Sequence, residues 1–282
     1  MVPTGAFRMP GGGRDGVLRR EGEGLARLLH LDDEPVVVRA WATSGAVRLR
    51  AEAPTRAAAL HGVERMRFAL GVDSDLRPFH RRFARDRLLG PVIWRRPWLR
   101  PRRRPEPFEA LAWAICEQLI DGRRAAGIER RLVRRYGRRS GCGRLSDVPA
   151  AARLAGRSPA DLEACGLSGR RAVALVRAAR EVAAGRADLD EHEPAWRRLR
   201  AIPTIGSWTL EKLAFEGQGR DDQLPAGDLA YVKLVGQLAG LGRRATEDEV
   251  REFFAPYAPF AGLAGLYLLQ ARHVGGARGP RA

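Results

Sequence analysis

The sequence predicts a mostly α-helical protein with a small α+β domain at its N-terminus. Three observations predict it. Residues 35–52 read as a β-hairpin: Val36-Val37-Val38 is an apolar run, Thr43-Ser44-Gly45 supplies a turn, and Ala46-Val47-Arg48-Leu49-Arg50-Ala51 alternates apolar with basic. Alternation at a period of two marks a half-buried strand. From Phe108 onward, apolar residues instead recur at three and four positions, the spacing of one helix face. Between these regions, residues 95–105 crowd arginines among Pro97, Pro101 and Pro105, which excludes a regular helix or a central strand.

In order along the chain, the hairpin leads into a helix with Ala59, Val63, Met66 and Leu70 on one face and Gly71 placed to stop it. Residues 1–104 are therefore expected to form an N-terminal α/β domain ending in the Arg/Pro-rich linker. That linker is either a solvated basic connection or an arm lying along a phosphate backbone. Residues 105–275 are expected to be a helical domain. Phe108, Leu111, Ile115 and Leu119 mark one buried face, and Ala125, Ile128, Leu132 and Tyr136 a second. Ser158-Pro159-Ala160-Asp161 is a helix start with a cap and a proline in the first turn. Ala172, Leu175, Val176, Ala179 and Val182 carry a long helix, and Thr246-Glu247-Asp248-Glu249 reads as a capping box. Residues 276–282 are expected to be a disordered tail.

Composition narrows the function. The 282 residues are 45% hydrophobic, enough for two ordinary cores, and no apolar run is long enough to span a membrane. The N-terminus lacks a secretory pattern, so a cytoplasmic protein is expected. Three irregularly spaced cysteines, Cys116, Cys142 and Cys165, with no Cys-x-x-Cys pair, argue against a disulfide framework, a structural zinc site or an iron–sulfur cluster. The five histidines form no metal-binding pair, so no metal is expected. The net charge of +17 favours a polyanionic partner. All but two of the basic residues, Lys212 and Lys233, are arginine, a bias that codon usage can produce; the surplus charge is not explained that way.

The informative segment is 199–233. Pro203 and Gly206, within Pro203-Thr204-Ile205-Gly206-Ser207, predict a tight turn between two helices, with Gly206 able to take positive φ. Such a turn exposes backbone N–H groups at the start of the second helix, a site suited to one phosphate. Pro225-Ala226-Gly227-Asp228 follows a polar loop and opens another helix. Asp228 reads as an N-cap, as a carboxylate kept ionised by the helix dipole and presented to a cleft, or as both.

This segment resembles the helix–hairpin–helix/Gly-Pro-Asp superfamily of base-excision DNA glycosylases, most nearly the DNA-3-methyladenine glycosylase II family. Phe108-Glu109 through Ala114-Ile115-Cys116-Glu117-Gln118-Leu119 looks like that family's first shared helix, and Gly166-Leu167-Ser168-Gly169-Arg170-Arg171-Ala172 like its next helix entry. The likeness covers residues 76–270 in order and weakens before them. It implies a two-lobed helical fold preceded by a short antiparallel sheet, and a monofunctional enzyme. Such an enzyme flips an alkylated purine out of double-stranded DNA and hydrolyses its N-glycosidic bond. Asp228 matches the essential aspartate, which stabilises an oxocarbenium-like sugar. Trp208 stands where strand-cutting relatives carry a Schiff-base lysine, and in the alkylation-repair branch a tryptophan there lines the base pocket; plain core packing is the other reading of it. Leu119 matches a wedge that fills the gap left by the flipped base, although a leucine on this helix is otherwise ordinary core. Gln118, Pro203, Thr204, Ile205, Gly206, Ser207 and Lys233 complete the implied DNA contacts.

Three departures stand out. Thr204 occupies a position where the hairpin usually has glycine, so the turn is either looser or gains a hydroxyl. Lys212 falls one turn after Trp208, where better-known relatives have an aromatic. It would pair with a phosphate or with Glu216, or line the pocket and favour neutral lesions; a lyase role is the remotest reading. Tyr267 and Leu268-Leu269 replace a frequent tryptophan. No cofactor is expected beyond a monovalent cation that hairpins of this family can hold on backbone carbonyls. A monomer is expected. Two other functions stay open: a glycosylase for neutral deaminated or oxidised bases, and an inert protein that binds damaged DNA.

Overall fold

The computed structural model describes residues 2–3, 7–31 and 33–271. The expected tail at 276–282 lies outside the described residues. The chain opens with an antiparallel sheet of five strands: β1 (Val2–Pro3), β2 (Leu18–Glu21), β3 (Gly24–Leu31), β4 (Glu34–Thr43) and β5 (Ala46–Glu52). Their spatial order is β1-β5-β4-β3-β2. The expected hairpin is β4–β5, closed by the pair Thr43 and Ala46, with Gly45 at φ 71° in the turn. β3 has no equivalent in the pattern reading, and the reason is physical. Leu25, Leu29 and Leu31 join one core while Ala26 and Leu28 pack with Leu145 in another, so both faces of the strand carry apolar residues and no alternation marks it.

Helix α1 (Arg56–Leu70) lies on the sheet, capped by Thr55, whose hydroxyl accepts from Ala58 N, and ended by Gly71 at φ 64°. Its buried stripe is Ala58, Gly62, Met66 and Leu70, one residue away from the expected Ala59 and Val63. Gly62 sets that rotation, because a Cβ there would come within 2.5 Å of Val36 Cγ1.

Helices α2 (Arg77–Phe83) and α3 (Gly90–Arg95) follow, and then the Arg/Pro segment. The helical part continues with α4 (Pro107–Glu117), α5 (Gly122–Tyr136), α6 (Ala151–Ala155), α7 (Pro159–Glu163), α8 (Gly169–Ala183), α9 (His192–Arg200) and α10 (Ser207–Lys212). A π-helical turn, Leu213–Gly217, extends α10; α11 (Leu229–Leu238), α12 (Glu247–Phe254) and α13 (Ala261–Ala271) complete the fold. The expected capping boxes are present at Ser158/Asp161 and Thr246/Glu249. No described helix is long and apolar enough to cross a membrane.

The cores divide the chain differently from the expected boundary at 104. Leu76, Phe79, Phe83, Leu89, Val92 and Ile93 pack with Leu224, Tyr231, Val250, Phe254, Leu263 and Tyr267. Thus α2 and α3 belong to a lobe with α11–α13, whereas α4–α10 form the other lobe around Leu111, Trp113, Ile115, Leu132 and Leu175. Phe79 of α2 packs tilted against Tyr267 of α13, with ring centroids 5.0 Å apart. That contact across the sequence, invisible to local pattern, decides the lobe.

The Arg/Pro segment is irregular, as its prolines require, but its inner arginines are not solvated. Arg103 is buried, donates to Asp221 Oδ1 at 2.6 Å and lies over the rings of Phe68 and Phe215. Arg104 donates to Asp15 Oδ2 at 2.7 Å and to Glu109 Oε1 at 3.2 Å. Arg27 of β3 reaches the same Glu109 at 2.6 Å. Neither reading made for the linker fits these residues: Arg103 and Arg104 point inward and fasten sheet, linker and helical lobes together.

Candidate active site and nucleic-acid interface

The hairpin between α9 and α10 runs through residues 201–206. The positive φ falls at Thr204, at 76°, and not at Gly206, which has φ −101° and ψ −172°. A threonine in the left-handed region costs roughly 1–2 kcal/mol, which accounts for the glycine usual there. Nothing lies within 4 Å of a Cβ built on Gly206, so its backbone faces open space. No side chain caps α10, which leaves its first amides to an outside partner. Pro203, Thr204 and Gly206 are exposed, whereas the Ile205 side chain is buried in the lobe core and can contribute only backbone to a contact. Ser207 Oγ donates to Glu247 Oε1 at 3.0 Å.

Leu119 is not on the buried face of α4. The helix ends at Glu117, and Leu119, at φ 57°, projects fully into solvent. Gln118 sits beside it and donates from Nε2 to Thr204 O and to Thr209 Oγ1, both at 2.9 Å. The loop carrying Leu119 is thereby tied to the hairpin. Lys233 is exposed farther along α11, and no ion pair among the described residues engages it.

Asp228 is the N-cap of α11 and more than a cap. Its Oδ1 accepts from Ala230 N at 2.8 Å, and its Oδ2 accepts from the indole Nε1 of Trp208 at 3.3 Å. The carboxylate is therefore fixed from both sides, half-buried at the junction of the lobes. The loop ahead of it is anchored by Glu211 of α10, whose Oε2 accepts from Ala226 N at 3.2 Å and whose Oε1 accepts from Arg251 at 2.6 Å. Burial pushes the Glu211 carboxyl up, with Arg251 opposing. A Cβ on Gly227 would lie 3.1 Å from Glu247 Oε2, close enough to shift that side chain slightly.

Lys212 lies over the Trp208 ring, Nζ 5.6 Å from its centroid, as one helical turn demands. Its ammonium binds Glu117 Oε2 at 2.5 Å and Glu216 Oε1 at 2.8 Å. Burial alone would lower the pKa of this amine, but Glu216 and Glu117 overcome it and hold it above the ordinary lysine range. Of the pairings expected for Lys212, Glu216 is present. Glu117 was not anticipated, because it comes from another helix far away in sequence. A lysine held protonated by two carboxylates is unsuited to Schiff-base chemistry, which needs the free amine. Tyr267 is fully buried, donates to Leu99 O at 2.9 Å and meets His80 Nε2 at 2.8 Å, so it belongs to the lobe core and not to a base pocket.

Residues 112–259 match the HhH-GPD superfamily of base excision DNA repair proteins. The chain belongs to that superfamily. It is 26% identical over 204 residues to a DNA-3-methyladenine glycosylase of Bacillus subtilis, covering 70% of this chain and 67% of the relative. It is 29% identical over 190 residues to DNA-3-methyladenine glycosylase 2 of Escherichia coli, covering 64% and 63%; the chain thus spans about two thirds of the length of these relatives. Its fold is that of the 3-methyladenine DNA-glycosylase from Archaeoglobus fulgidus, with a TM-score of 0.79, 23% identity, and coverage of 93% of this chain and 91% of the other. The match starts within α4 and ends beyond α12, so it contains Leu119, the hairpin and Asp228.

Proposed function

We propose that this member of the superfamily is a monofunctional DNA glycosylase that hydrolyses the N-glycosidic bond of alkylated purines, of the 3-methyladenine class, in double-stranded DNA. The observation that carries the reading is the Asp228 carboxylate, fixed between the Ala230 amide and the Trp208 indole. The names of the Bacillus subtilis and Escherichia coli relatives support the substrate class.

The chemistry follows from that carboxylate. The C1′–N bond breaks with its electron pair leaving on the base, and positive charge grows on the sugar. Asp228 stabilises that charge, and being already oriented it needs no reorganisation to do so. Water adds to C1′ and loses a proton to solvent. An alkylated purine departs from a cationic state, so it becomes neutral as it leaves and demands little acid catalysis. Trp208 offers its indole face to such an electron-poor ring. Beside it, Lys212 is paired with both Glu117 and Glu216, so it does not present an unpaired cation to a cationic base. Leu119 supplies the wedge, and the exposed turn at Pro203–Gly206 supplies backbone to a phosphate. A monovalent cation at the turn would draw on carbonyls such as Thr204 O, which already accepts from Gln118; such an ion would brace the turn.

The test is chromatography of free bases released from methylated duplex DNA by the purified protein and by Asp228→Asn. Release of 3-methyladenine by the wild type alone is expected. Equal release by the variant would remove Asp228 from the mechanism, and DNA binding without release by either would leave a damage-binding protein.

A further inference from the structure

Leu119 sits on a short loop between two elements. On one side, Gln118 Nε2 donates to Thr204 O at 2.9 Å and ties the loop to the hairpin. From that hairpin α10 departs, carrying Trp208, whose indole bonds Asp228. On the other side the loop runs directly into α5. Asp121 caps that helix, its Oδ1 accepting from Arg123 N and Arg124 N at 3.0 Å. Arg171 of α8 braces the loop by donating to Cys116 O at 2.7 Å.

The outward side of α5 is wholly cationic. Arg123, Arg124, Arg130, Arg131, Arg134 and Arg135 are exposed, while Glu129, the one acidic residue of the helix, is buried on its core side. Helix geometry puts Arg123, Arg130 and Arg134 in one row, within about 40° of one another and about 16 Å long. Arg124, Arg131 and Arg135 form a second row beside it. Among the described residues only Asp121 pairs with any of the six, reaching Arg124 at 3.6 Å. Arg130 and Arg131 donate to backbone carbonyls, Arg14 O and Cys165 O, both at 2.7 Å, and so keep their charge uncompensated. The side chains of Arg123 and Arg134 make no hydrogen bond or ion pair among the described residues. Arg130 with Arg134, and Arg131 with Arg135, are like charges one turn apart, which weakens a helix standing alone. A polyanion laid along the rows relieves that repulsion.

We propose that this face of α5 grips the phosphate backbone of the undamaged strand, across the duplex from the strand held by the hairpin. This inference rests on the glycosylase reading given above. A wedge entering the base stack has one strand on each side of it. The hairpin leads through Trp208 to Asp228, so the damaged strand takes the hairpin side. α5 begins on the other side, and its row of arginines is long enough to reach more than one phosphate. Phosphate contacts position a duplex without reading its sequence. The grip therefore anchors, whatever the sequence, the strand that loses its partner base when a nucleotide is flipped out.

The experiment measures binding by fluorescence anisotropy to an oligonucleotide carrying a tetrahydrofuran abasic analogue, as a duplex and as the damaged strand alone. Arg123→Gln/Arg134→Gln should weaken duplex binding by about tenfold or more at about 0.1 M salt. It should also make the slope of log K against log salt less steep by about two, roughly one per lost phosphate contact. Binding of the single strand should not change. Uncharged methylphosphonates in the undamaged strand beside the lesion should weaken the wild type to a similar degree and the variant little further. Arg48→Gln/Arg56→Gln removes the same charge from two exposed arginines of the N-terminal sheet and α1, and should keep duplex affinity within about twofold. Unchanged duplex binding by the α5 variant would overturn the proposal. So would equal losses on duplex and single strand, an equal loss in the Arg48/Arg56 control, or full sensitivity of the α5 variant to the methylphosphonates. Failure of the glycosylase reading looks different, since the wild type would then release no 3-methyladenine from methylated duplex DNA.

Discussion

Asp228 and Trp208 are joined by a hydrogen bond from the indole Nε1 to Oδ2 at 3.3 Å, while Oδ1 of the same carboxylate caps α11. One carboxylate therefore caps the helix and holds the indole at once. Asp228→Asn should separate the two. The asparagine oxygen can still accept from Ala230 N, so the cap survives, but the charge is gone and an amide N–H then faces the indole N–H. Single-turnover base release should fall by about 10²–10³-fold, the usual effect of losing one preorganised electrostatic contact. Fluorescence anisotropy should show DNA binding retained.

Among the described residues, Lys212 is the only cation that bonds both Glu117 and Glu216. Lys212→Met should leave two carboxylates facing each other and destabilise the protein by about 3 kcal/mol. The double variant Lys212→Met/Glu216→Gln should recover part of this loss in urea melts. If Lys212 instead acted as a Schiff-base amine, borohydride treatment during turnover would trap a covalent wild-type adduct with DNA. None is expected, because the two carboxylates keep the amine protonated.

Leu119 is exposed and makes no core contact, despite its apolar side chain. Leu119→Ala should leave the melting temperature essentially unchanged. It should slow release from duplex DNA by about tenfold while affecting single-stranded substrate much less, since only a duplex has a gap to fill. A drop in thermal stability would return Leu119 to the core.

Thr204 holds φ 76° in the hairpin turn. Thr204→Gly should relieve that strain and, after the extra freedom of the unfolded glycine is counted, stabilise the fold by about 0.5–1 kcal/mol. Chemical denaturation provides the check, and a loss of stability would mean that the hydroxyl has a partner worth more than the strain.

Two carboxyls, buried Glu129 and partly buried Glu106, link stability to pH. Burial raises Glu129 to about 8 and Glu106 to about 7. A raised carboxyl binds its proton more tightly in the folded state than in the unfolded chain. Its contribution is therefore fully present below the unfolded value near 4.5 and is lost as pH climbs through the folded value. Thermal stability should decline between pH 5 and pH 9, and Glu129→Gln should flatten that decline. Parallel curves for wild type and variant would show that Glu129 does not titrate in this window.

How legible the site was depended on the range of each interaction. Trp208 over Lys212, Lys212 with Glu216, the Ser158 and Thr246 capping boxes and the Asp228 cap all join residues within one helical turn, so backbone geometry alone brings them together. The hairpin turn was legible too, although its strained residue proved to be Thr204 and not Gly206. Glu117 at Lys212, Glu211 at Ala226, and Gln118 at Thr204 join different segments, and no local period announces them.

The sequence by itself determined the β4–β5 hairpin, the helix starts at Ser158 and Thr246, the position of Asp228 at a helix start, and the family likeness in which that aspartate has meaning. Only the tertiary structure decided that Leu119 points outward, that Arg103 and Arg104 turn inward, that α2 and α3 join the lobe of α11–α13, and that Glu129 is buried without a partner. The first group is set by steric and hydrogen-bonding preferences over a few residues. The second depends on which distant surfaces meet, and that is settled only when the whole chain packs.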